Sequence, residues 1–227
     1  MQTRKLKQAL KRFLLIAGVP ALLAALYFGG LELFQRSPML NFEVVAPGRL
    51  LRSAQPRPGD LDHILQTQGL GTIISLRGSE EPEVRDWAQK HGVALLSMQM
   101  WADHPPTPAQ VGLFFDIMRG DTVDVDLYND VVLQRAGMKK STVFTFPFPA
   151  LLHCEGGSDR TGVMVALYRM AFQGWGAKLA EDDMTAHFHI TALHPDQFKF
   201  IEQVGPSVGP TYGSRSPHLA AHAAGAP

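Results

Sequence analysis

The segment from Pro149 to Phe172 most constrains how this chain can fold. Pro149-Ala150-Leu151-Leu152 reads as the end of a buried strand, and Thr161 to Phe172 alternates apolar and polar residues at helical spacing. Between them lies His153-Cys154-Glu155-Gly156-Gly157-Ser158-Asp159-Arg160-Thr161-Gly162, which holds the chain's only cysteine. A buried strand passing through a glycine loop directly into a helix implies an α/β layer with the loop at the strand's carboxyl end. The N–H groups of residues 155 to 160 are expected to point inward there, and the positive end of the helix dipole favours an anion.

The residue types suit phosphate chemistry. The field that holds an anion also stabilises a thiolate, and cysteines in such settings have pKa values lowered to about 3.5–7.5 from about 8.5. Gly156 and Gly157 let the backbone approach phosphoryl oxygens without a Cβ in the way. Glu155, Gly156, Gly157, Ser158, Asp159 and Arg160 form the expected phosphate-binding loop, with the planar fork of Arg160 gripping two equatorial oxygens. Cys154 is the expected nucleophile, and Thr161 the expected hydroxyl donor to its thiolate. A lone cysteine at a strand end is otherwise a small buried hydrophobe. That alternative leaves Arg160, Thr161 and both glycines unexplained.

With these residues the chain resembles the cysteine-based protein tyrosine and dual-specificity phosphatases, whose signature is His-Cys, five residues, Arg, then Ser or Thr. The likeness extends to Arg49-Leu50-Leu51-Arg52-Ser53-Ala54-Gln55-Pro56, Thr72-Ile73-Ile74-Ser75-Leu76-Arg77, Ala166-Leu167-Tyr168-Arg169-Met170 and Gln173-Gly174-Trp175, and covers roughly residues 42–204. It is strongest toward bacterial membrane-tethered or periplasmic members. The resemblance implies hydrolysis of phosphate monoesters through a phosphocysteine, with a phosphorylated protein or small phosphomonoester as partner and no metal or other cofactor. It also implies an aspartate that protonates the leaving oxygen. Trp101-Ala102-Asp103-His104-Pro105-Pro106-Thr107-Pro108 looks like the loop that carries it, which makes Asp103 the first choice. Asp159, inside the phosphate loop as in the myotubularin-like lipid phosphatases, is the alternative.

Glu155 and Asp159 give the loop an acidic rim, which is expected to disfavour highly anionic inositol polyphosphates. Leu51 stands where relatives commonly have Tyr and leaves pocket depth open. Phospholipid or nucleotide substrates of the same mechanism, a catalytically inactive phospho-binding module and a rhodanese-like sulfur transferase are the rival readings. The Arg160-Thr161 spacing argues against the last.

Arg4, Lys5, Lys7, Lys11 and Arg12 precede a stretch from Phe13 to Leu31 without one charged side chain. Its 19 residues at about 1.5 Å each give a helix of roughly 28 Å, near the thickness of a bilayer's hydrocarbon core. The expectation is a cytoplasmic segment 1–12, a transmembrane signal-anchor 13–31 and a tether 32–41. The catalytic part then lies on the periplasmic side of an inner membrane. A cleavable signal shares this start, but no convincing small-x-small cleavage site stands out near Ala24 to Gly30.

The phosphatase domain is expected at 42–204 and a flexible tail at 205–227, rich in Gly, Pro, Ser and Ala. Strands are expected over 43–46, 72–76, 93–97 and 150–153. Helices are expected over 58–68, 80–90, 108–118, 161–173, 177–188 and 195–203. That alternation predicts a central, largely parallel sheet flanked by helices on both faces. Residues 119–148 read as an insertion in which Val123, Val125, Leu127, Val131, Val132 and Leu133 form a short extra strand or helix. With 21 basic and 21 acidic side chains, no basic face points to nucleic acid. His187, His189 and His194 are read as surface or partly buried groups rather than metal ligands, because no carboxylate cluster completes a ligand set.

Overall fold

The computed structural model describes residues 18–20, 39–125, 131–134 and 143–205. The expected span over 13–31, apart from residues 18–20, and the tail from 206 onward lie outside the described residues. Among the described residues no helix is long and apolar enough to cross a membrane.

The elements in chain order are β1 (Glu43–Ala46), β2 (Leu50–Ser53), α1 (Pro58–Gln68), β3 (Thr72–Ser75), α2 (Pro82–His91), β4 (Ala94–Met98), α3 (Pro108–Arg119), β5 (Thr122–Asp124), β6 (Val131–Gln134), β7 (Val143–Thr145), β8 (Ala150–His153), α4 (Asp159–Phe172), α5 (Ala177–Ala186) and α6 (Pro195–Val204). Six strands form one sheet in the order β1-β2-β8-β3-β4-β6. The inner four run parallel, in registers such as Leu51↔Leu151 and Ile73↔Leu151. The outer two, β1 and β6, are antiparallel to their neighbours.

A parallel sheet covered on both faces needs strands apolar on both sides, and the doublets Ile73-Ile74, Leu95-Leu96 and Leu151-Leu152 meet that need. Alternate residues enter opposite cores. Leu51, Ile73, Leu95 and Leu151 pack with Leu61 and Ile64 of α1 and with Val84 and Trp87 of α2. Ile74, Leu96 and Leu152 pack with Val111 and Phe114 of α3, Val163 and Leu167 of α4, Met184 of α5 and Ile201 of α6. Each fully buried Leu or Ile contributes about 1.5–3 kcal/mol relative to exposure.

Helix boundaries follow local chemistry. Helix α1 opens on Pro58 and ends where Gly69 supplies a positive φ of 68°, matching the sequence expectation. Thr107 caps α3 through a capping box with Gln110.

Three features differ from the sequence reading. Residues 50–53 form a fully buried strand, in which the polar Arg52 bonds Gly157 O and lies beside Asp183 and Ser53 bonds Ala54 O. Residues 119–148, expected to add one short strand or helix, hold three strands among the described residues: β6 adds to the main sheet beside β4, while β5 and β7 pair antiparallel as a separate two-stranded sheet. Leu127, expected to join that segment's strand or helix, lies outside the described residues. Residues 39–41, expected in the tether, pack with the domain. Met39 packs on the Leu51 core, the Leu40 carbonyl accepts from Ala54 N–H at 2.8 Å, and Asn41 reaches the loop after β8.

Candidate active site

Strand β8 lies between β2 and β3 and delivers His153 and Cys154 to the carboxyl edge of the sheet. The loop that follows is held from outside by its carbonyls. His153 O accepts from Leu76 N–H at 2.9 Å and Glu155 O from Gln55 N–H at 2.9 Å. Gly156 O accepts from Asn41 Nδ2 at 2.8 Å, and Gly157 O from Arg52 at 2.7 Å. In a trans peptide the N–H points opposite the C=O, so the amides of residues 156 to 158 face the inside of the loop. The Gly157 N–H meets the buried Cys154 Sγ at 3.2 Å. Asn41 also donates to Ser158 Oγ at 3.2 Å from a backbone with φ 54°, a conformation asparagine tolerates.

Gly157 has no substitute here. Its φ is +69°, and a Cβ would lie 2.5 Å from Ala54 N and 2.6 Å from Ser53 O. Below it the wholly buried Arg52 places its guanidinium 3.5 Å from Asp183. Burial pulls the Arg52 pKa below its usual range, while Asp183 and Glu43 act in the opposite sense. A fixed cation therefore underlies the loop at the N-terminus of the 14-residue helix α4, where the dipole has the same sign.

Arg160 stands at the other end of the loop and donates to Leu76 O at 3.4 Å. That carbonyl also accepts from Met100 N–H at 3.2 Å, so Arg160 and the segment after β4 meet at one atom. Arg160 Nε is buried without a hydrogen-bond partner among the described residues, and so is Thr161 Oγ1. The hydrogen bond expected from Thr161 to Cys154 is not among those the structure forms.

His153, expected from its place at the strand end to orient the loop by hydrogen bonding, is supported from beneath by Glu80, which sequence reasoning did not single out. His153 Nε2 lies 2.8 Å from Glu80 Oε2 with both side chains wholly buried, and His153 Nδ1 lies 3.3 Å from Cys154 O. Glu80 also accepts from Gln55 Nε2 at 2.5 Å and from Glu81 N–H at 2.9 Å. Burial acts to raise the Glu80 pKa, but His153, Glu81 N–H and Gln55 outweigh it and bring it to about 2. Glu80 falls at the start of the helix expected over 80–90, but that helix begins at Pro82 and the carboxylate turns inward.

The two candidate acids differ in their surroundings. Asp103 is exposed, with its carboxylate 2.8 Å from His104 Nδ1. That hydrogen bond is the main cause of its lowered pKa, and His194 contributes in the same direction. Asp159, at the first position of α4, lies 3.5 Å from His194 Nε2 and 3.9 Å from His189 Nε2. His189 is wholly buried, and burial lowers its pKa to about 4 against the pull of Asp159. His194 therefore neighbours the phosphate loop and lies near enough to Asp103 to act on it.

A carboxylate cluster does adjoin the third histidine, which corrects the sequence expectation. Ligand atoms of Glu43, Asp183 and His187 lie within 4.8 Å of one another, because β1 is brought beside α5 by the fold. Arg169 donates to Glu43 at 2.7 Å and to Asp183 at 3.1 Å, so guanidinium groups already neutralise both carboxylates. The donor set suits an ion-pair network better than a metal ion.

A cysteine loop between a central parallel strand and a helix, closed by an arginine, defines the α/β class of cysteine-based phosphatase domains. The model of the family described as PTP-SAK, a Swiss Army Knife protein DSP-PTPase phosphatase domain, matches residues 39–203, and the chain belongs to that family. It is similar to the dual specificity protein phosphatase TpbA of Pseudomonas aeruginosa, with 44% identity over 147 residues in one strain and 28% in another. That match covers 65% of this chain and 54% of the relative, so the chain spans about half the length of those relatives. The inositol diphosphatase DSP4 of Arabidopsis thaliana is 29% identical over 175 residues, covering 77% of this chain and 75% of that protein.

Among solved structures, the crystal structure of P. aeruginosa TpbA has a TM-score of 0.55 at 21% identity, covering 77% of this chain and 92% of that one. TpbA in complex with pTyr has a TM-score of 0.50 at 21% identity, covering 75% and 93%. The Siw14 catalytic core has a TM-score of 0.53 at 19% identity, covering 73% and 85%. These likenesses establish the shared fold.

Proposed function

We propose that this chain hydrolyses phosphate monoesters through a phosphocysteine intermediate, most closely as a protein tyrosine or dual-specificity phosphatase. The observation that carries this reading is the loop of outward carbonyls with Gly157 N–H on Cys154 Sγ. Such a cradle at a helix N-terminus favours a thiolate and then a phosphoryl group. The thiolate attacks phosphorus, the bond to the leaving oxygen breaks, and Asp103 gives that oxygen its proton. Water then attacks the phosphocysteine, Asp103 takes the water's proton, and the S–P bond breaks to release phosphate and the thiolate. Residues 155 to 160 bind the phosphoryl oxygens, and Arg160, with its buried Nε unpaired, is the cation that grips them. Thr161, whose hydroxyl has no competing partner among the described residues, is assigned to support the thiolate. Asp159 remains the alternative acid, and its contact with His194 at 3.5 Å is the observation in its favour.

The TpbA complex with pTyr supports phosphotyrosine as substrate. The relative that is an inositol diphosphatase keeps polyanionic substrates in view, but Glu155 and Asp159 in this loop oppose clustered phosphates. A phospholipid or nucleotide monoester is the alternative within the same chemistry. We further propose the arrangement of segment 1–12 in the cytoplasm, a single inner-membrane span over 13–31 and a periplasmic catalytic domain, on the uncharged stretch and its basic flank. The test is hydrolysis of p-nitrophenyl phosphate by the full chain with a chelator present, against Cys154→Ser. Metal-independent release lost in the variant is expected. A folded wild type that binds phosphopeptide but releases no phosphate would replace this reading with a phospho-binding module.

A further inference from the structure

Helix α6 begins at Pro195 with His194 as its N-cap, and one residue of its first turn reaches the segment after β4. The wholly buried Gln197 donates from Nε2 to Ala102 O at 2.8 Å and to His104 O at 3.1 Å. These are the carbonyls on either side of Asp103. Both acceptors are carbonyl oxygens, so the amide nitrogen must face them and the orientation of the group is fixed. Gln197 Oε1 is left buried without a partner among the described residues. A side chain that spends both donors on one loop and leaves its own acceptor unpaired is placed for the loop rather than for the helix.

The loop is pinned at its base as well. Gln110 Nε2 donates to Gln99 O at 2.6 Å, and Met100 N–H to Leu76 O at 3.2 Å. Between this base and Thr107 at the start of α3, Gln197 is, among the described residues, the side chain that grips the backbone flanking Asp103. Without it, the carbonyls of Ala102 and His104 would turn to water and Asp103 would lose its aim. The hydrogen bond of Asp103 to His104 would not restore it, because both residues belong to the same loop.

We infer that Gln197 is a positioning residue for the proposed acid/base: its amide, bonded to the carbonyls of Ala102 and His104, holds Asp103 in register with the phosphate loop. This rests on the reading of Asp103 as the group that protonates the leaving oxygen. The role is carried by helix α6, more than 90 residues downstream of the loop it steadies (|i−j| 95 and 93).

The test uses the full chain and two kinds of substrate: an aryl phosphate with a good leaving group, and a phosphoserine peptide whose alkoxide needs a proton. Gln197→Met keeps the volume and removes the donors. It is expected to lose on the order of 10²-fold in kcat on the phosphoserine peptide and little on p-nitrophenyl phosphate, with vanadate binding and Tm near wild type. Placed on Asp103→Asn, it should cost nothing more, because both changes act through one group. Equal losses on both substrates, or losses additive with Asp103→Asn, would overturn the inference. Asp103→Asn that discriminates between leaving groups while Gln197→Met does not would overturn the inference alone and leave the Asp103 reading standing. Asp103→Asn without discrimination would remove the reading and the inference together. Should Gln197→Met fail to fold, Gln197→Glu, which sets a carboxylate against the two carbonyls, must show the same leaving-group signature. Its absence there also counts against the role.

Discussion

Glu80 and His153 face each other at 2.8 Å with neither side chain exposed, one layer beneath Cys154. The pair fixes the residue before the nucleophile. The Glu80 pKa falls from an ordinary 4.5 to about 2 in the folded protein. A depressed carboxylate pKa adds stability that is complete above pH 4.5 and is lost as pH falls through 2. The contribution at neutral pH is on the order of 3 kcal/mol. Glu80→Gln should therefore lower the unfolding free energy at pH 7, and its deficit against wild type should shrink between pH 4.5 and 2. Urea titrations of both proteins across that range check this.

His189 works in the opposite chemical sense but toward the same side of the pH scale. Burial lowers its pKa to about 4, so it is neutral in the folded protein at pH 7. Between pH 6.5 and 4 the unfolded chain binds a proton that the folded chain does not, and stability falls as pH drops. The loss over that window is on the order of 3 kcal/mol. His189→Gln should flatten the pH dependence of Tm between 6.5 and 4, while Glu80→Gln leaves that portion steep.

Gly157→Ala places a methyl group 2.5 Å from Ala54 N and asks alanine to adopt φ +69°. The expected cost is about 1–3 kcal/mol of stability and on the order of 10²-fold or more in kcat/KM, because loop and strand β2 must separate. Differential scanning calorimetry and steady-state kinetics read the two effects separately. Gly174→Ala is the control, since its φ is also positive at 71° but no neighbouring atom lies near its Cβ; it should lose stability without losing turnover.

Asp103 must carry a proton to act as an acid, yet the hydrogen bond to His104 lowers its pKa. His104→Ala should raise that pKa and move the alkaline limb of the pH–kcat/KM profile to higher pH. Asp103→Asn should lose about 10²–10⁴-fold on alkyl phosphates and abolish the limb. If Asp159→Asn shows the larger selective loss instead, the acid is Asp159.

Much of this was readable locally. The phosphate loop, α1 and the capped start of α3 are each specified by neighbours in sequence: a strand end before glycines, Pro58 and Gly69 as boundaries, Thr107 with Gln110. What escaped is chemistry that only distance along the chain creates. Arg52 and Ser53 read as polar, and β2 is legible only once Gly157 O receives Arg52 and β8 pairs along the strand. Asn41 read as tether because its partner is 115 residues away (|i−j| 115). Glu80 looked like an ordinary helix acid until His153 met it. Val131 to Leu133 read as a short strand or helix, but their pairing with β4 as an edge strand of the main sheet is a tertiary event.

Because β8 is flanked by β2 and β3, its backbone is bonded on both edges, and the nucleophile hangs from one of the inner strands, which cannot open without breaking a ladder on each side. Amide protons of Leu151 to His153 should therefore exchange with deuterium only when the whole domain unfolds. Partial opening at β1 or β6, the two rims, would leave the centre intact. Turnover should thus survive mild denaturant up to the global transition and vanish with it, which makes activity a faithful gauge of the fraction folded.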